Sequence, residues 1–359
     1  MNSLSEETKK SNKKTLLKGM LRGELRDFFL SIGEKEYRAD QAFNWMYNYR
    51  VENFSEMLNM SKELRVKLND IALLNTLSLR EKQVSAIDGA VKLLLETSGG
   101  NLIESVILPE KTRVTLCVST QVGCPLDCKF CATGLMGYKR NLSSGEIFDQ
   151  YALAQRLYDR PITNIVFMGM GEPLLNFEQT VKTLMIFADE LNKGISHKKI
   201  TVSTAGIPHK IIDLADTGLK SKLAFSLHSC FEEEREVIMP INKKYSLKEN
   251  LEAIEYFARK TDTWITFEYV MLRGINDREK DIKALTKLCR RIKSKVNIIP
   301  FNSLEHMNPE GISAELIPTS REKIEKFADK LRENNISVFL RNTQGEDIDA
   351  ACGQLAIKY

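Results

Sequence analysis

From Arg113 onward, short apolar runs of strand character take turns with longer stretches whose apolar residues recur at helical spacing. The strand candidates are Val114–Ser119, Ile162–Met168, Lys199–Thr204, Lys222–His228, Trp264–Leu272, Lys295–Phe301 and Ile336–Arg341. Helical stretches between them include Ser143–Leu157, Phe177–Leu191, Ser246–Lys260, Arg278–Lys293 and Ser320–Asn334, the first opening with the capping box Ser143-Ser-Gly-Glu146. Strands joined through helices run parallel, so the pattern predicts a parallel sheet wrapped by helices, of α/β class. Periodicity alone leaves both a closed and a partial (β/α) TIM-like barrel open. In either, chemistry belongs at the carboxyl ends of the strands.

The first third of the chain reads differently. Apolar residues Leu17, Met20, Leu21, Leu25, Phe28 and Ile32 predict a helix from Lys14 to Ile32. Two more helical segments follow, at Ala39–Arg50 and from a Ser61 cap to about Leu73. Strand-like runs at Leu77–Val84, Ala90–Thr97 and Leu102–Leu108 are separated by Asp-Gly and Gly-Gly turn signals. The expected organisation is a polar tail over 1–14, read as disordered and carrying Lys9, Lys10, Lys13 and Lys14. A small N-terminal helical domain over 15–75 follows, then a β extension over 76–112, a core over 113–342 and a C-terminal loop over 343–359.

Three cysteines, Cys124-x-x-x-Cys128-x-x-Cys131, lie in a loop just after the first core strand. Structural zinc takes four protein ligands, and the closest further candidates are Cys117, on the preceding strand, and the remote His197. An iron–sulfur cluster held by three thiolates, with one open iron, suits this set better. The chain's seven cysteines are odd in number and unevenly spaced, which does not suit a secreted disulfide framework. With no signal peptide and no long apolar run, the expected location is cytoplasmic and no membrane partner is expected. A net charge of +4 permits an acidic partner such as RNA without requiring one.

Met168-Gly-Met-Gly-Glu-Pro173 directly follows the second core strand. Its glycines let a ligand approach the backbone, and Glu172 can accept from a ligand amine. A dinucleotide fingerprint is the rival reading, but its third glycine is missing. Ser203, the run Ser226-Leu227-His228, and Asn302 fall at or just past the ends of three later strands, where polar groups can bind ribose and adenine. Cys352 sits in a glycine-flanked C-terminal segment that reads as mobile and accessible. By position alone Cys117 reads as a core cysteine and Glu104 as a solvent-facing strand residue, while Cys230 and Cys289 read as structural.

The cysteine spacing resembles the signature of enzymes that cleave S-adenosylmethionine (SAM) by radical chemistry. A closer resemblance rests on Gln121-Val-Gly-Cys124 through Cys131-Ala-Thr-Gly134, Gly169-Met-Gly-Glu-Pro-Leu-Leu-Asn176, Ser226-Leu-His228, Met239-Pro-Ile-Asn-Lys-Lys-Tyr245, Tyr269-Val-Met-Leu272 and Asp347-Ile-Asp-Ala-Ala-Cys-Gly-Gln-Leu355. Together these resemble the RlmN/Cfr family of radical SAM methyltransferases, over about residues 104–356. The resemblance implies a partial barrel of the radical SAM type, with a [4Fe-4S] cluster on Cys124, Cys128 and Cys131. It implies SAM contacts at Gly171, Glu172, Ser203, Ser226, Leu227, His228 and Asn302, with two SAM used per turnover.

The implied substrates are an adenosine of 23S rRNA (adenine-2503 type) and adenosine 37 of some tRNAs. Gly-Glu-Pro-Leu-Leu-Asn and Pro-Ile-Asn-Lys-Lys-Tyr resemble the housekeeping branch, which methylates carbon 2; the alternative is the branch that methylates carbon 8. In the implied mechanism Cys352 carries the methyl group. A 5′-deoxyadenosyl radical activates it for addition to the ring, and Cys117 resolves the covalent adduct by forming a disulfide with Cys352. Glu104 matches a family glutamate with a base or positioning role, the helical domain matches the RNA-binding accessory domain, and a flavodoxin-type reductant and a monomer are further expectations. Two acidic residues, Asp347 and Asp349, precede Cys352 and are expected to disfavour its thiolate, with the SAM sulfonium offsetting them. Competing readings are a zinc-dependent RNA-binding module and another radical SAM enzyme, such as a glycyl-radical activase, which would not need Cys352.

Overall fold

Apolar runs that cannot be satisfied singly pair into one sheet in a computed structural model that describes residues 14–357. Its ten strands are Leu77–Val84 (β1), Val91–Thr97 (β2), Leu102–Pro109 (β3), Val114–Cys117 (β4), Asn164–Phe167 (β5), Ile200–Thr204 (β6), Lys222–Ser226 (β7), Ile265–Met271 (β8), Ser294–Pro300 (β9) and Val338–Leu340 (β10). They lie side by side in chain order. From β4 to β10 every neighbouring pair is parallel, whereas β1 to β4 pair antiparallel. The β extension runs into the core and continues the central sheet. Among the described residues β1 and β10 remain unpaired edges, so the barrel is partial. All seven residues of β8 are buried, as a parallel strand covered on both faces requires.

Helices occupy three N-terminal segments, Arg22–Ser31 (α1), Tyr37–Asn44 (α2) and Lys62–Ile71 (α3), and the crossovers. The latter are Ser144–Leu157 (α4), Phe177–Ala188 (α5), Pro208–Asp216 (α6), Glu232–Ile238 (α7), Leu247–Thr261 (α8), Glu279–Arg291 (α9) and Arg321–Glu333 (α10). The capping box forms as expected: Glu146 N–H donates to Ser143 Oγ (3.2 Å) and Ser143 N–H to Glu146 Oε2 (2.8 Å).

The helix expected from Lys14 begins only at Arg22. Before it, Thr15–Leu16 pairs in parallel with Ala72–Leu73, and Gly19 turns the chain at φ +94. A Cβ at Gly19 would lie 2.4 Å from the Gly145 nitrogen, so contact with the start of α4 overrides helical periodicity there. Of the lysine-rich tail expected over 1–14, all but Lys14 lies outside the described residues.

Candidate active site

The chain leaves β4 through Val118–Thr120 and enters a small antiparallel pairing of Gln121–Gly123 with Tyr138–Asn141, and the three cysteines lie between its arms. Gly123 adopts φ +75, where a Cβ would meet the Gly137 oxygen at 1.9 Å, so only glycine closes this neck. Cys124 N–H donates to that same oxygen (2.8 Å), and Cys131 N–H donates to Cys128 O (3.1 Å). Burial raises all three thiols, Cys124 to about 12 and Cys128 well above its ordinary value. The neighbouring sulfurs raise them further. Crowded buried thiols of this kind ionise only against a cationic centre, and a bound metal supplies one. Among the described residues no three His, Cys, Asp or Glu side chains converge tightly enough for a single ion. The three thiols line one cavity.

That cavity, about 150 Å³, is lined by Cys124, Cys128, Cys131, Gly171, Glu172, Ser203, Ser226, His228, Asn302 and Cys352. Each comes from the carboxyl end of a different strand or from the segments that follow, the expected rim. The Glu172 carboxylate is buried, and it accepts from Ala205 N–H (2.8 Å) and Leu174 N–H (3.0 Å). Burial raises its pKa against these bonds. The glycines of this turn answer to packing more than to ligand approach. A Cβ at Gly169 would lie 2.7 Å from Ser119 Oγ, and one at Gly171 (φ +95) 2.4 Å from Gln121 Cβ.

His228 Nδ1 accepts from Val270 N–H (3.0 Å), which leaves its proton on Nε2. Burial, reinforced by Arg235, lowers its pKa to about 3, so the ring is neutral. Leu227 stands apart from the lining. Its side chain is wholly buried in the core, its N–H donates to Glu268 O, and its carbonyl accepts from Arg235 Nε. It does not reach the cavity.

Residues 343–357 cross the rim as a strap. On one side Ala132 N–H donates to Gly353 O (2.7 Å), Thr133 Oγ1 to Leu355 O (2.7 Å) and Asn302 Nδ2 to Cys352 O (2.9 Å). On the other, Ala86 N–H donates to Asp347 Oδ2 (3.0 Å) and Gly345 N–H to Asp88 Oδ2 (2.9 Å). The expected mobile loop is thus pinned at both ends, its glycines supplying left-handed turns at φ +71 and +84.

Cys352 is exposed at the mouth, yet it lines both the cluster cavity and an adjoining one that also contains Cys117. Arg341 and Met168 line both cavities as well. Burial raises Cys117 to about 12, the nearby Cys352 adds to this, and Arg341 opposes it. Surrounding protein also raises Cys352, with Arg341 opposing and Glu268 adding. Here the structure corrects the expectation that Asp347 and Asp349 press on this thiol: the opposing carboxylate is Glu268, and a protein cation already offsets it.

Glu104 is buried rather than solvent-facing, 3.4 Å from Lys92 in an ion pair. It lies two residues along β3 from Val106, which pairs opposite Cys117, so the two share a sheet face. Glu104 itself lines a third cavity of about 320 Å³, under the strap with Asp347 and Asp349. Burial raises its pKa and Lys92 lowers it.

Sequence reading passed over Arg341, Glu268 and Lys92. Glu268 carried a usable signal, as the lone charge within a mostly apolar strand run, and Arg341 ended a predicted strand on the rim. Cys230 and Cys289 lie outside these cavities.

A partial β/α barrel with a three-cysteine loop after its first parallel strand defines a radical SAM enzyme. Residues 118–289 match the Radical SAM superfamily, and residues 15–74 the Ribosomal RNA large subunit methyltransferase N-terminal domain. Proteins called probable dual-specificity RNA methyltransferase RlmN from Thermotoga sp. and Thermotoga maritima are each 45% identical over 328 residues. These alignments cover 91% of this chain and 93% of the relatives. A crystal structure of a radical SAM methyltransferase from Sphaerobacter thermophilus superposes with a TM-score of 0.88 at 36% identity, covering 95% of this chain and 99% of that one. The chain belongs to the RlmN family of radical SAM RNA methyltransferases, whose chemistry takes a [4Fe-4S] cluster and SAM. Among the described residues no helix is long and apolar enough to cross a membrane.

Proposed function

We propose that this enzyme methylates carbon 2 of an adenosine in 23S rRNA, of the adenine-2503 type, and of adenosine 37 in tRNA. The carrying observation is that Cys352 lines both the cavity of the three cysteines and the cavity of Cys117, with Arg341 facing both thiols. Cys124, Cys128 and Cys131 hold the cluster. Glu172 and the Gly171 turn take the aminoacyl end of SAM, while Ser203, Ser226, His228 and Asn302 line the remainder of its cavity. When bound, the cluster and SAM supply a 5′-deoxyadenosyl radical that accepts a hydrogen atom.

Cys352 is the methyl carrier: its thiolate, favoured by Arg341, takes a methyl group from a first SAM and becomes a thioether. One hydrogen atom leaves that methyl, and the carbon bonds to the adenine ring. The adduct gives up the ring proton and one electron, which the oxidised cluster would take back, and the Cys117 thiolate then attacks the Cys352 sulfur. A disulfide forms as the sulfur–carbon bond breaks, the methylene carbon takes up a proton, and the methylated base departs. An external reductant, of flavodoxin type, restores the thiols and supplies electrons. Glu104 serves as base or positions the substrate from beneath the strap. Helices α1 to α3 form the RNA platform of a monomeric, cytoplasmic enzyme.

The two thiols fail differently, and this tests the reading. Cys352→Ala is expected to be inactive and to leave RNA free. Cys117→Ala is expected to accumulate a covalent protein–RNA adduct, seen on denaturing gels and removed by ribonuclease, and the double variant is not. A Cys117→Ala protein that folds, keeps its iron and turns over normally would remove Cys117 from the mechanism.

A further inference from the structure

Arg235, on α7, is a fully buried side chain with no carboxylate in direct contact. Its Nε donates to Leu227 O (3.1 Å), Nη1 to Asn242 Oδ1, and Nη2 to Ala205 O and to Ser226 O (3.0 Å). Every one of these acceptors is neutral. Its guanidinium lies 5.0 Å from the centre of the Phe225 ring. The neighbouring Glu232 favours this charge only from a distance, through Asn242: its carboxylate accepts from Asn242 Nδ2 (2.9 Å) and Leu247 N–H (2.8 Å). No ion pair to Arg235 forms among the described residues. A buried charge without a partner is among the most unfavourable features a fold can carry.

The missing counter-charge has an evident place. The cysteine loop packs directly on this helix: Lys129 N–H donates to Ile238 O (2.9 Å), and Cys124, Leu126, Cys128 and Phe130 share one apolar cluster with Ile238 and Met239. We propose that Arg235 is the fixed counter-cation of the iron–sulfur cluster, and that it raises the cluster's reduction potential. Three thiolates on an iron–sulfur core leave a net negative charge, which reduction increases by one. A nearby buried cation stabilises the reduced form more than the oxidised one. Arg235 is thus a positioning and tuning residue, acting through the cluster without touching substrate. Asn242, from the Pro240-Ile-Asn-Lys-Lys run, holds its fork.

This inference rests on the assignment of the three cysteines to the cluster. Retention of iron by Cys128→Ala would refute that assignment separately. The test is an EPR-monitored redox titration of the reconstituted whole protein without SAM. Arg235→Gln, which removes the charge, is expected to shift the cluster to a more negative potential. Arg235→Lys, which keeps the charge but loses the fork, is expected to melt lower than wild type yet hold the wild-type potential.

An unchanged potential in Arg235→Gln, or an equal shift in both variants, would show that Arg235 only staples strand ends. Should Arg235→Gln fail to fold or to load iron, Arg235→Lys decides. Assembly at the wild-type potential supports the counter-cation. Failure to take up iron overturns it.

Discussion

Glu172 shows what a buried carboxylate does at residue scale. Burial holds its pKa above the ordinary 4.5 in the SAM-free protein, although two backbone N–H groups favour the charged form. An incoming ammonium group favours the charged form much more. The free protein therefore keeps its proton to higher pH, and the complex sheds it. SAM affinity should rise with pH through that raised pKa, and calorimetry in buffers of different ionisation enthalpy should register proton release. Glu172→Gln should abolish the release and weaken SAM at least about tenfold, since a hydrogen bond to a charged group contributes about 1.5–3 kcal/mol. Binding that ignores pH would show that Glu172 does not meet the ammonium.

Arg341 invites a parallel measurement, because it is the cation that opposes the upward shift of both Cys352 and Cys117. The thiolate is the species that reacts. Arg341→Met should therefore move the midpoint of Cys352 alkylation to higher pH, slowing the reaction at neutral pH. Cys117, near 12, should stay unmodified below pH 9 in either protein. Equal profiles in both proteins would show that Arg341 does not act on the Cys352 thiol. Such roles are poorly legible in sequence. Glu104 looked solvent-facing because the strand pattern cannot show that a strap some 240 positions later covers its face.

At the scale of elements, the alternation from Arg113 onward made the parallel half of the sheet legible, since each strand and helix carries its own periodicity. What the pattern could not convey was how β1 to β3 attach, because short antiparallel strands joined by tight turns read alike as a separate hairpin layer or as part of a larger sheet. The strap depends on that attachment. Asp88, in the turn between β1 and β2, accepts from Ala90 N–H (2.9 Å) as well as from Gly345 N–H (2.9 Å), so the hairpin tip carries the anchor of the Cys352 segment. Asp88→Ala removes both acceptors. It should destabilise the strap locally by about 1.5–3 kcal/mol, as for a lost hydrogen bond to a charged group. Hydrogen exchange should quicken over 343–350 while the cysteine loop is unaffected, and methylation of Cys352 should slow. Unchanged exchange in the strap would mean that the contacts at Asn302 and Ala132 suffice to hold it.

For the molecule as a whole, the question is whether the N-terminal helices are a separate arm. Removing residues 1–95 cannot test their role in RNA binding, since that deletion would strip β1 and most of β2 from the central sheet. The helices are also locked to α4. Lys18, 2% exposed, pairs with Asp149 at 2.9 Å, and the other Asp149 oxygen accepts from Thr76 N–H (2.8 Å) and Oγ1 (2.6 Å). Tyr47 closes the junction: its hydroxyl accepts from Gly19 N–H (2.9 Å) and donates to Met20 O (2.8 Å), and its ring meets Phe148 edge-on at 4.8 Å. Breaking one side of a buried pair strands the other charge, at a loss of about 3–5 kcal/mol. Asp149→Ala leaves Lys18 without its carboxylate and Thr76 without an acceptor, so it should lower the melting temperature by several degrees. Because Leu17, Phe43, Tyr47, Phe148 and Ile147 belong to one continuous core, the melt should remain a single transition. Adding Lys18→Met should recover part of the loss, with the unmatched Thr76 N–H accounting for the rest. Two resolved transitions in Asp149→Ala would instead show that the helices and the barrel fold independently and are joined by this ion pair alone.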